Sequence, residues 1–135
     1  MPLMTWNENL SVGVNAIDVQ HSKLVAILNE LYDAMMQGRA KDVTGPLLRK
    51  LINYTRDHFA AEEAMMTSAK YNGLAAHRYE HEKLTKQVQE YAARFERGEV
   101  AVNIDLLKFL RNWLTGHIQN SDRAYGPCLK EHGMR

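Results

Sequence analysis

LAAHRYEHEKLTKQVQEYAARF, residues 74–95, is the most regular amphipathic stretch of the chain. Leu74, His77, His81, Leu84, Val88, Tyr91 and Phe95 recur at alternating threes and fours, the stripe of an α-helix with one buried face. Both histidines therefore point inward. Four residues advance a helix by about 400°, which leaves the two imidazoles on one face with Cβ atoms roughly 6 Å apart. That spacing can chelate one metal ion.

Working outward, Asn72 and Gly73 break the chain before this helix and Gly98 ends it, so it spans about 73–97. The preceding helix, about 42–68, has an inward row of Leu48, Leu51, Tyr54 or Thr55, His58, Glu62 and Met65. Asp42 or Thr44 is expected to cap it, with Pro46 confined to its first turn. Glu62 falls in the apolar seam, where an ionised carboxylate must be paired, protonated or bound to a cation. The first helix, about 16–37, carries Ile17, His21, Leu24, Leu28, Leu31 and Met35 and stops at Gly38. The last, about 103–125, begins at Asn103 or Asp105, turns Leu106, Leu110, Trp113, His117 and a position near Ser121 inward, and is expected to stop at Gly126 and Pro127. Residues 1–15 have no period and read as an extended arm anchored by Trp6; 126–135 form a tail. The expected fold is all-α, a single domain over 1–135 built as an antiparallel up-down-up-down four-helix bundle with an extended N-terminal arm.

A lone histidine on an apolar face is commonly a core residue satisfied by a hydrogen bond. Here five of six histidines are inward, with only His132 outside the set, and every helix contributes at least one. In antiparallel helices, His21 near the start of the first, His58 and Glu62 near the end of the second, His77 and His81 near the start of the third, and His117 and Asp122 near the end of the fourth all fall at one end of the bundle. The last pair breaks the helical rule: five residues advance a helix by about 500°, some 140° from alignment. A π-bulge or loosened turn between His117 and Asp122 is inferred.

Five imidazoles and two carboxylates exceed the three or four protein ligands usual for one zinc or non-haem iron. Two metals fit better. With both carboxylates bridging, a three-to-two division of the histidines nearly saturates one ion and leaves the other an open position. Iron, manganese, zinc and copper all suit these donors.

Composition sets the other bounds. The 17 Lys and Arg balance 16 Asp and Glu and are dispersed, which favours neither nucleic acid nor an anionic membrane as partner. No apolar run approaches the length of a transmembrane span, and the N-terminus lacks the pattern of a signal peptide. With a single cysteine, Cys128, to which no function is assigned, a cytoplasmic location is expected. No helix shows a second apolar face, so a monomer is expected.

The order of a single histidine, HxxxE, HxxxH and HxxxxD on four helices resembles the hemerythrin family, in particular its single-domain bacterial members. The likeness covers essentially the whole chain, including IDVQH at 17–21, HFAAEE at 58–63, AAH at 75–77 and WLTGHIQNSDRAY at 113–125. It implies two non-haem iron ions with an oxo or hydroxo bridge. His77, His81 and His117 would hold one iron, His21 and His58 the other, and Glu62 and Asp122 would bridge them. Leu24, Phe59, Trp113, Leu114 and Ile118 match an apolar O2 pocket, and plain core packing is an equally true description of them. Tyr125 is either a hydrogen-bond partner of the ligands or an ordinary capping tyrosine, and Asp18 and Gln20 either orient ligands or shape the start of the helix, Asp18 as N-cap. The implied function is reversible O2 binding for carriage, storage or delivery to an oxygen-consuming partner enzyme, with no catalytic residues. The alternatives are an O2 or redox sensor acting on a partner protein, and a di-iron enzyme reducing peroxide or nitric oxide.

Overall fold

The computed structural model describes residues 2–38 and 41–134. Helix α1 spans Asn15–Met36, α2 Lys41–Ser68, α3 Leu74–Glu96 and α4 Ile104–Gly116; a π-helical segment, His117–Asp122, joins α4 directly to α5, Arg123–Glu131. Short connections make successive helices antiparallel, so the molecule is a four-helix bundle whose fourth rod is α4, the π segment and α5 end to end. No strand occurs among the described residues.

The apolar stripes meet in one core. Ile17, Leu24, Leu28 and Leu31 of α1, Leu48, Leu51 and Met66 of α2, Leu84 and Phe95 of α3, and Leu106, Leu107 and Leu110 of α4 are all buried. At the fourth rod, Asn103 is the N-cap, its side chain accepting from the Leu106 N–H at 2.9 Å.

Four expectations change on contact with the structure. The arm is more than an extended strand hung on Trp6. It forms a 3-10 turn at Glu8–Leu10, and Met4, Leu10, Val12 and Val14 are the arm residues that bury themselves, with Trp6 only half-buried at the core's edge. Asn29 of α1 grips it further, accepting from the Met4 N–H at 3.0 Å and donating to the Met4 carbonyl at 2.8 Å. Asp18 is not the N-cap, which is Val14. Its carboxylate instead reaches back to accept from Ser11 Oγ at 2.6 Å and the Val12 N–H at 2.9 Å, fastening the arm to α1.

Pro46 lies beyond the first turn of α2, whose helical residues begin at Lys41. Thr44 is therefore inside the helix, and the Asp42 side chain lies outside the described residues. Finally, Gly126 and Pro127 do not stop the fourth rod, because both sit within α5. The glycine has another cause: a Cβ there would stand 2.4 Å from the Val12 carbonyl oxygen, so it is the arm's close approach that requires it. The proline costs the helix a hydrogen bond, but Tyr125 and Leu129 on the same turns are fully buried and hold α5 in place.

Candidate metal centre

At one end of the bundle, ligand-type atoms of seven buried side chains converge. Glu62, His77, His81, His117 and Asp122 place one donor atom each within 4.8 Å of one another, and so do His21, His58, Glu62 and Asp122. The two carboxylates belong to both sets. All seven predicted ligand residues are thus brought together. His58 and Glu62 share a face of α2, and His77 and His81 a face of α3, by the four-residue helical repeat. His117 and Asp122 share a face because the π segment carries five residues per repeat instead, bringing His117 Nε2 to 3.0 Å from Asp122 Oδ1.

These donors fit a cation better than they fit each other. His77 Nε2 lies 2.9 Å from Asp122 Oδ1, His21 Nε2 3.1 Å from Asp122 Oδ2, and His58 Nε2 2.9 Å from Glu62 Oε1. Yet His21 Nε2, His77 Nε2, Glu62 Oε1 and both Asp122 oxygens are buried without a hydrogen bond. The atoms are close but not aligned for hydrogen bonds with one another, and they gather in two sets compact enough for one ion each. His81 and His117 bring their Nε2 atoms to 3.1 Å of each other. Donors about 2.1 Å from one ion and at right angles stand about 3.0 Å apart.

Electrostatics lead to the same conclusion. Burial and the charge of Asp122 both oppose ionisation of Glu62, but His21 and His58 outweigh them and hold its pKa down at about 2. Burial likewise opposes ionisation of Asp122, and the imidazoles of His117, His21 and His77 packed against its oxygens overcome it, leaving the group well below the carboxylate range. At His21, burial favours the neutral ring, yet Asp122 and Glu62 lift its pKa to about 9. Burial prevails at His81, which falls to about 4. Two ionised carboxylates in a dry core require positive charge beside them, and metal ions supply it while accepting the bare ring nitrogens.

Behind these atoms stands a layer of supporting contacts. Gln20 Oε1 lies 2.6 Å from His58 Nδ1, so the ring's proton sits there and Nε2 is left as a donor for a metal. Glu63 Oε2 does the same for His81 Nδ1 at 3.0 Å, while its other oxygen accepts from Arg78 Nε at 2.9 Å. Glu80 stands 3.7 Å from His117 Nδ1 and is held by Ser121 Oγ at 3.0 Å. The Tyr125 hydroxyl donates to Glu62 Oε2 in a short hydrogen bond, and the ring is fully buried. Phe59 stacks on His81 at a centroid distance of 3.7 Å, and Trp113 on His117 at 4.4 Å.

Sequence reasoning considered Gln20 and Tyr125 but missed Glu63 and Glu80. The one available signal was that each is a carboxylate adjacent in sequence to an inward ligand, Glu63 after Glu62 and Glu80 before His81, on a face turned toward the neighbouring helix.

Behind Phe59 and Trp113, the rings stacked on His81 and His117, lies a mainly apolar cavity of about 70 Å³ whose walls include Leu24, Phe59, Trp113 and Leu114; none of the seven converging side chains lines it. Four of the five expected pocket residues therefore share it. Ile118 is fully buried in the core and does not line that cavity. No described helix is long and apolar enough to cross a membrane.

Known proteins are similar to this chain in sequence and fold. The bacteriohemerythrin of Pseudomonas aeruginosa is 38% identical over 134 residues, spanning 99% of this chain and 86% of that protein. That of Methylococcus capsulatus is 38% identical over 130 residues, spanning 96% and 98%. A crystal structure of wild-type hemerythrin superposes with a TM-score of 0.91 at 38% identity, covering 94% of this chain and 98% of that one. A leucine-to-tyrosine mutant of hemerythrin gives 0.92 at 37% identity, covering 96% and 98%. The family description "Hemerythrin HHE cation binding domain" matches residues 12–129, a span that contains all seven converging side chains. With that span, those identities and a shared bundle, the chain belongs to the hemerythrin family.

Proposed function

We propose that the chain binds O2 reversibly at a pair of non-haem irons, for oxygen carriage, storage or delivery, and that it is not primarily an enzyme. The observation that carries this reading is the double cluster with two shared carboxylates in a hemerythrin-family bundle. His77, His81 and His117 would hold one iron, His21 and His58 the other, and Glu62 and Asp122 would bridge the two beside an oxo or hydroxo bridge. Held by these residues, a pair of reduced irons would supply the redox chemistry for O2 binding, giving up electrons on binding and regaining them on release.

The residues of this chain account for what reversibility needs. The two-histidine set is one imidazole short of the other, so the smaller set is where a small ligand has room. Leu24, Phe59, Trp113 and Leu114 present apolar surface to the cavity behind the His81 and His117 rings, a dry wall that would limit access of water and protons to bound O2. Ile118 supports this from the core as packing. Gln20 fixes the tautomer of His58, and Tyr125 donates to Glu62, fixing a bridging carboxylate in orientation. The stacked Phe59 and Trp113 rings hold His81 and His117 from turning.

The deciding experiment is iron content together with the optical spectrum of the reduced protein, taken through cycles of argon and air. Two irons per chain and a charge-transfer band that appears with air and disappears under argon are expected. A reduced, fully loaded protein that only oxidises, with no reversible band, refutes the proposal.

A further inference from the structure

The two halves of the double cluster are backed by different chemistry. On the three-histidine side, the outer nitrogen of His81 donates to a carboxylate, Glu63, at 3.0 Å, and a second carboxylate, Glu80, stands 3.7 Å from the outer nitrogen of His117. On the two-histidine side, the outer nitrogen of His58 meets the neutral amide oxygen of Gln20 at 2.6 Å; the outer nitrogens of His21 and His117 are both buried without a hydrogen bond, but only that of His117 has a carboxylate nearby, so the contrast rests on Glu63 against Gln20. Neither carboxylate is loose. Arg78 Nε clamps the far oxygen of Glu63 at 2.9 Å, tying α2 to α3, and Ser121 of the π segment holds Glu80 at 3.0 Å.

An anion accepting a ring N–H pushes electron density through the imidazole to the opposite nitrogen and makes that nitrogen a stronger donor; a neutral amide does so less. From this geometry we infer that Glu63, with Glu80 behind it, is a positioning residue that makes the two metal positions electronically unequal. The three-histidine position holds its metal more tightly and is the easier of the two to oxidise, whereas the position backed by Gln20 gives up its metal first. The inference rests on the di-iron reading, and it concerns side chains outside the ligand set.

Three proteins test it: the parent, Glu63→Gln, which keeps a hydrogen-bond acceptor but removes the charge, and Gln20→Glu, which places a carboxylate behind His58. Each is loaded with iron and followed for iron release to a ferrous chelator and for the midpoint potentials of its oxidation steps. Thermal unfolding of the metal-free forms is measured alongside. The parent should release iron in two phases. Glu63→Gln should weaken the slow-phase metal by ten- to a hundred-fold and raise one midpoint potential, with the fast phase and the metal-free unfolding temperature unchanged. Gln20→Glu should do the converse, slowing the fast phase and lowering the other potential.

Unchanged phases and potentials in Glu63→Gln, with two irons bound, overturn this inference and leave the di-iron reading standing. So does equal acceleration of both phases together with a loss of metal-free stability, which marks a purely structural Glu63. A parent protein that does not take up two irons overturns the di-iron reading itself, and this inference with it.

Discussion

Replacing Gly126 with alanine sets two effects of known size against each other. Alanine is favoured over glycine within a helix by about 1 kcal/mol, so helix propensity alone says that α5 gains. The added Cβ, however, would stand 2.4 Å from the Val12 carbonyl oxygen, and carbon–oxygen contacts settle near 3.3–3.6 Å. Relief needs a shift of about 1 Å. The arm cannot give freely, because its Val12 N–H is bonded to Asp18 at 2.9 Å and Val12 and Val14 are buried. Overpacking of this kind costs about 1–3 kcal/mol, and a backbone partner held on both sides belongs at the upper end.

The net is a destabilisation of about 2 kcal/mol. An unfolding entropy of about 2.1 cal/mol/K per residue gives about 0.28 kcal/mol/K for 135 residues, so Tm should fall by about 7 °C. Circular dichroism of the metal-free protein measures it without contribution from metal binding. Gly116→Ala is the control: it too lies in the fourth rod, but a Cβ there meets nothing within 4 Å, and its Tm should hold or rise by up to about 3 °C. A Gly126→Ala protein as stable as its parent would refute the claim that the arm dictates this glycine.

Other perturbations address the cluster. Tyr125→Phe strips Glu62 Oε2 of its buried donor and should cost about 1–3 kcal/mol, read as a lower Tm of the metal-free protein; no change means that the hydroxyl does not support the carboxylate. Asp122→Asn, which alters a group shared by both clusters, should lower uptake at both positions, whereas His58→Ala should leave one iron, each counted by metal analysis; two irons retained in Asp122→Asn would contradict its bridging role. Phe59→Leu removes the ring stacked on His81 and widens the apolar cavity, so the oxygenated absorption should decay faster than in the parent while iron content holds. An unaltered decay would show that Phe59 does not restrict water.

Much of this molecule could be read from spacing. The stripes of α1 to α4 are long and regular, and periodicity is most informative in such segments. His117 and Asp122 were legible through a violation: an inward histidine and an aspartate five residues on can meet only if the helix widens, and it does so over those residues. What was not legible is long-range. Nothing local tells that Gly126 answers to a carbonyl of the arm, so its usual reading as a stop signal misled, as did that of Pro127. Asp18 at the start of a helix suggested a cap, yet its partners lie six and seven residues upstream in chain that has no period. Glu63 and Glu80 looked like ordinary solvated charges, because only the packing of α2 on α3, and of α3 on the π segment, turns them toward imidazoles.

The levelling of the ligands at one end divides the bundle into regions of unequal freedom to change. The link between α2 and α3 lies at the end where the seven side chains converge, and its length is constrained by four of them, His58, Glu62, His77 and His81, within about three turns of helix on either side. The turn between α3 and α4 lies at the opposite end, where Gly98 takes a φ of +77° and a Cβ would touch nothing within 4 Å. Loop closure there becomes only slightly more costly with length, so insertions at Gly98 should leave metal uptake intact. A reporter domain or affinity sequence could be grafted at that turn, making the far end a handle on a centre it does not touch.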